Sequence, residues 1–121
     1  MVVKPTQSGS NVVVTANGGT TTIGATSYSY QDATQSVLTA FGSDPASGAG
    51  MTASGGPVEA VLTSTRVTLT AHGAAGVRTL TLPGNWQVDP ANPNPAVTFS
   101  NGQWQLNYQG GAPLSVSLVP A

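Results

Sequence analysis

Hydrophobic and polar residues alternate along this chain in short runs, and the clearest run is Ala96–Tyr108, AVTFSNGQWQLNY. Val97 and Phe99 alternate with Thr and Ser, Asn101-Gly102 interrupts, and Trp104, Leu106 and Tyr108 resume the period of two. Asn-Gly suits the two positive-φ positions of a type I′ turn, whose twist matches paired antiparallel strands. The pattern predicts a hairpin that puts Val97 and Phe99 on one face and Trp104, Leu106 and Tyr108 on one side of the returning strand. One side of such a hairpin must be buried, so the remaining chain has to supply an opposing layer.

The same alternation recurs elsewhere. Asn11–Ala16 (NVVVTA) reads as a β-branched strand, turned by Asn17-Gly18-Gly19 into a short return over Thr20–Ile23. Thr26–Tyr30 places Tyr28 and Tyr30 on one face, and Val58–Leu62, Arg66–Ala71, Val77–Leu82, Trp86–Val88 and Leu114–Leu118 follow as further strands. Arg66–Leu82 reads as a second hairpin through the connector His72–Gly76, with Arg78 on the face of Leu80 and Leu82 unless a bulge opens the strand. Asp89–Pro95 (DPANPNP) reads as an extended proline-rich link.

Two stretches break the rhythm. In Asp32–Phe41, Ala33, Val37 and Phe41 recur every four residues beside Leu38, Asp32 and Gln35 match a capping box, and Gly42 offers a C-terminal cap. That combination predicts one short helix, in preference to a strand through Ser36–Phe41. Gly42–Pro57, rich in Gly, Ser and Ala, shows no pattern and is expected to be a long flexible loop. Met1–Ser10 reads as an N-terminal arm, which leaves residues 11–121 as a single domain. About seven to nine strands at turn spacings near ten residues predict a mainly β fold, an antiparallel β-sandwich of Ig-like or jelly-roll-like type with that one helix.

Charge narrows the functional classes. Charged residues make up 6% of the chain, against about 25% in ordinary domains. Lys4, Arg66 and Arg78 are the cations, and Asp32, Asp44, Glu59 and Asp89 the carboxylates. Three cations cannot form the basic footprint that phosphate contacts require, so neither nucleic acid nor an anionic membrane surface is an expected partner. No apolar run approaches the ~18 residues of a spanning helix. Met1-Val-Val-Lys-Pro lacks the basic and apolar regions of a secretory signal, so the chain is expected to be made in the cytoplasm or to be a processed fragment. The absence of cysteine excludes disulfides, thiolate catalysis and thiolate metal sites. A nearly neutral surface also gives little repulsion against self-association, which points to an assembly.

Candidate chemistry is sparse. His72, the single histidine, lies in a small-residue connector with no Gly-x-Ser-x-Gly pattern in the chain, so it reads as an exposed loop residue. Each carboxylate has a structural role first: Asp32 as a cap, Asp44 and Asp89 before prolines, Glu59 at a strand start. Gly48-Ala49-Gly50 lacks the Gly-Lys-Ser/Thr that a phosphate loop needs. We therefore expect no catalytic residue, no cofactor and no metal site. The candidate partner contacts are Trp86, Tyr28, Tyr30 and Met51, since exposed aromatics on a β surface stack on sugar rings or fill a partner's pockets. Trp104, flanked by alternating polar residues, reads as core.

With its Thr-, Gly- and Ala-rich, cysteine-free and charge-poor character, and segments such as NVVVTANGGTTTIG and VTLTAHGAAGVRTLTLPGNWQV, the chain resembles accessory virion proteins of tailed bacteriophages, of the head-decoration, spike or tail-associated type. The resemblance implies a non-enzymatic subunit that binds or reinforces a capsid or tail as an oligomer, located in the virion. It also implies Met1–Ser10 and Gly42–Pro57 as contact arms and edge-strand pairing as the mode of association. The alternative expectation is an extracellular or cell-surface adhesion module that binds glycan through Trp86 and the tyrosines. A hydrolase is the weakest reading.

Overall fold

A computed structural model of the chain describes residues 6–8, 11–16 and 18–121. Among these the fold is all-β, with two antiparallel sheets packed face to face. The first five strands form a meander: β1 (Thr6–Ser8), β2 (Asn11–Ala16), β3 (Gly19–Ile23), β4 (Ser27–Gln31) and β5 (Gln35–Ala40). The remaining strands are β6 (Ala46–Gly48), β7 (Met51–Ser54), β8 (Val58–Thr63), β9 (Val67–Ala71), β10 (Gly76–Thr81), β11 (Trp86–Val88), β12 (Val97–Ser100), β13 (Gln103–Tyr108) and β14 (Leu114–Pro120). They weave between layers, with a change of sheet at every connection except β6–β7, β8–β9 and β12–β13. The result is a nine-stranded sheet, β1-β2-β3-β4-β5-β8-β9-β14-β11, and a five-stranded sheet, β12-β13-β10-β7-β6.

Burial follows the period of two. Leu38 and Ala40 of β5, Val58 and Ala60 of β8, Val67, Leu69 and Ala71 of β9, and Val116 and Leu118 of β14 face Met51, Ala53, Leu80, Trp104, Leu106 and Tyr108 from the smaller sheet. At one end β6 lies over β4 and β5, and among the described residues no strand of the smaller sheet continues past it to cover β2 and β3. Those two strands form a wing, on which Val12 and Ile23 are exposed.

The Asn-Gly hairpin is present as expected. Ser100 pairs with Gln103, and Asn101 and Gly102 both have positive φ, 54° and 76°. Its two rows meet as Val97 opposite Leu106 and Phe99 opposite Trp104.

Four expectations are corrected. There is no helix among the described residues: the segment expected to be helical holds β5, with Ser36, Leu38 and Ala40 inward. Asp32 Oδ1 accepts the N–H groups of Thr34 (2.7 Å) and Gln35 (2.9 Å), and Asp32 N–H donates to Gln35 O at 3.0 Å. A helix N-cap makes the same first bonds as this tight turn, which is why the local signal misled.

The stretch 42–57 is no free loop. It contains β6 and β7, joined through Ala49 and Gly50 with φ of 53° and 79°, and it buries Ala46, Met51 and Ala53. Fourteen strands therefore stand among the described residues where seven to nine were counted. The arm expected over residues 1–10 falls mostly outside the described residues; within it, Thr6–Ser8 pairs with β2.

Arg66–Leu82 is not a hairpin. β9 pairs with β8 and β14, whereas β10 pairs with β7 and β13 in the other sheet. Arg78 explains the change of layer. It does share the inward face with Leu80, and its side chain is only 1% exposed. Connector 72–76 wraps the guanidinium: Nη2 donates to His72 O (2.6 Å) and Ala74 O (2.9 Å), Nη1 to Gly76 O (3.1 Å), and Nε to Pro57 O at 3.2 Å. The Tyr108 ring lies 5.2 Å from the guanidinium carbon. Gly56 leaves room beneath, since a Cβ there would fall 2.4 Å from the guanidinium carbon.

Candidate binding surfaces

The four candidate contact residues go to three different places. Met51 is only 1% exposed and packs in the core, so it offers no contact surface. Its stretch reads as a loop in the sequence because the other buried residues of β6 and β7, Ala46 and Ala53, carry too little hydrophobic signal to mark a strand.

Tyr28 and Tyr30 lie on β4 and point away from the smaller sheet, because Ser29 between them is buried beneath Gly48. Residues directly opposite in antiparallel strands share a face, so the registers define rows across the outside of the larger sheet. One row runs Val12, Ile23, Tyr28, Thr39, Glu59, Thr70, Ser115. The next runs Val14, Thr21, Tyr30, Val37, Val61, Thr68, Ser117. Glu59 is the only Asp, Glu, Lys or Arg in either row, and Thr39 Oγ1 lies 3.4 Å from its Oε2. Towards the wing the surface is apolar and aromatic; towards β14 it is hydroxyl-rich.

Tyr30 is tethered at its tip. Its hydroxyl donates to Asp32 Oδ2 at 2.7 Å. That bond pushes the phenol pKa up and, together with the Thr34 and Gln35 donors, holds the Asp32 carboxyl well below the usual carboxylate range.

Trp86 lies at the opposite end, on the edge strand β11, where the sandwich opens between β11 and β12. Its indole N–H donates to Pro83 O at 2.7 Å, and Gly84 comes so near the indole edge that a Cβ would sit 3.2 Å from Nε1. The ring is half-buried and locked in orientation. It borders two hollows, both of which are lined by Trp86 and Gly84. The first, about 470 Å³, is walled by Leu82, Phe99 and Trp104. Phe99 is 58% exposed and leans on Trp104 with ring centroids 4.8 Å apart. The second hollow, about 380 Å³, is lined by Asp32 and Thr34 of the β4–β5 turn, Gln35 at the start of β5, Thr63 at the end of β8 and Ser64 after it.

The carboxylates are dispersed. Asp32 organises the β4–β5 turn, Asp44 precedes β6, and Glu59 lies on the outer face. Asp89 accepts Ala91 N–H at 2.9 Å and pairs with Arg66 at 3.3 Å, which together hold its carboxyl low. Among the described residues no group of three or more His, Cys, Asp or Glu side chains could hold a metal ion. His72 is exposed, and its carbonyl serves Arg78. Phe99 was missed as a surface residue: its alternation is that of a core position, but β12 is a sheet edge. No protein-family model, curated protein or solved structure matches this chain.

Proposed function

We propose that this chain is a non-enzymatic structural subunit of a larger protein assembly, docking through the outer face of its nine-stranded sheet. The observation that carries this reading is the pair of rows across seven strands in which Glu59 is the only Asp, Glu, Lys or Arg, and which end at the wing in the exposed Val12 and Ile23. At about 4.8 Å per strand the rows span roughly 30 Å, comparable to the side of a square patch of about 800 Å² per partner, the size of a standard protein interface. A surface without charge repulsion and rich in Thr, Val and Tyr suits packing against a second copy. The compositional resemblance to accessory virion proteins supports a capsid or tail as the setting.

Light scattering over a range of concentrations tests the proposal. The wild-type chain is expected to give a mass above the 12.0 kDa of one chain, and Ile23→Lys and Tyr28→Lys are expected to return it to that of a single chain. A wild-type particle that stays at one chain's mass at every concentration would sink the proposal, as would a multimer indifferent to both substitutions.

A further inference from the structure

We propose that Trp86 is the platform of a binding site for an uncharged oligosaccharide that extends through the two hollows bordering the indole. The two hollows share Trp86 and Gly84 in their walls, so one chain ligand can reach into both. Pyranose C–H faces carry slight positive charge and rest on the negative face of an indole, whereas their hydroxyls need nearby donors and acceptors. Both kinds of wall are present. Phe99 supplies a second exposed ring on one side, and Thr34, Gln35, Thr63 and Ser64 supply hydroxyl and amide groups on the other.

Ligand class follows from charge. No Lys, Arg or His lines either hollow, so a uronate or sialate carboxylate would be desolvated without a partner and would face ionised Asp32. Asp32 itself is committed, its oxygens accepting from Tyr30, Thr34 and Gln35. A proline-rich peptide fits less well, because its carbonyls need donors beside the ring and the Trp86 N–H is spent on Pro83 O. The locked indole also lowers the ordering cost of binding. The second hollow adjoins the outer face at Gln35 and Thr63, which pair one step beyond Val37 and Val61, but Trp86 belongs to neither row of that face, so Trp86→Ala and Tyr28→Lys test the two proposals separately.

Calorimetric titration of the full chain, with tryptophan emission followed in parallel, tests it. The probes are hexasaccharides of glucose, mannose, galactose and N-acetylglucosamine, with oligogalacturonate and a proline-rich peptide as comparators. At least one neutral hexasaccharide is expected to bind saturably and shift the emission, with oligogalacturonate about tenfold weaker or worse. Trp86→Ala should remove binding, Trp86→Phe should keep part of it, and Tyr28→Ala should leave it unchanged. Binding by none of the neutral sugars overturns the proposal, as does equal affinity for the uronate or a peptide that binds in their place. Affinity that survives Trp86→Ala overturns it too. If that variant loses its β-sheet spectrum, Gln35→Ala carries the test, and unchanged affinity there is equally fatal.

Discussion

A buried guanidinium without a carboxylate is costly unless every donor is met. Arg78 offsets most of that cost: four of its five N–H donors reach backbone carbonyls, and its guanidinium lies by an aromatic ring. Arginine suits the position because its planar fork reaches several acceptors at once, whereas a lysine ammonium is a single point. Arg78→Lys is therefore expected to cost about 1–3 kcal/mol, and Arg78→Leu about 3–5 kcal/mol because it strands the carbonyls and unmoors the 72–76 crossover. Urea unfolding midpoints read both. An Arg78→Leu variant as stable as wild type would show that the crossover holds itself. The inward face of Arg78 was legible from alternation with Leu80, but its acceptors come from residues up to twenty-one positions away in sequence, which no periodicity reveals.

At the scale of elements, the β4–β5 hairpin shows how a local signal is overruled. Asp32 and Gln35 carry the spacing of a capping box, but the inward row Ser36, Leu38, Ala40 has partners on both sides, in β4 and β8. Forming two ladders and burying Leu38 outweighs an isolated helix of fewer than about a dozen residues, which is marginal by itself. The turn also predicts acid sensitivity. The pKa values of Asp32 and Asp89 are lowered in the fold, so the unfolded chain takes up protons first, and stability falls as pH drops below about 4, the ordinary Asp value. Asp32→Asn keeps the turn acceptor but cannot titrate. Its unfolding midpoint should decline less between pH 5 and pH 2, roughly the window in which an unfolded Asp gains its proton. An identical slope in both proteins would assign the acid response elsewhere.

Across the whole molecule, stability should be graded. β8, β9, β10 and β13 are paired on both sides and hold fully buried side chains, whereas β2 and β3 stand beyond the second layer. Amide hydrogen exchange is expected to be slowest in the former and faster in the wing, because local opening there exposes little apolar surface. Uniform protection would mean that something else covers the wing, such as a neighbouring copy. The assembly face runs from the wing, and the sugar site stands where β11 and β12 leave the sandwich open, adjoining that face at Gln35 and Thr63.

Alternation and turn chemistry, read from the residues alone, determined that the chain is a β-sandwich, where most of its strands lie, and that Asn101-Gly102 closes a hairpin. These are local properties, dictated by backbone conformational preference and by the need to bury every second side chain. Tertiary structure alone decided which strands share a sheet, that β9 and β10 part company around Arg78, that Met51 is core and that Phe99 is surface. Those outcomes depend on partners far apart in sequence, and on which strand ends at an edge.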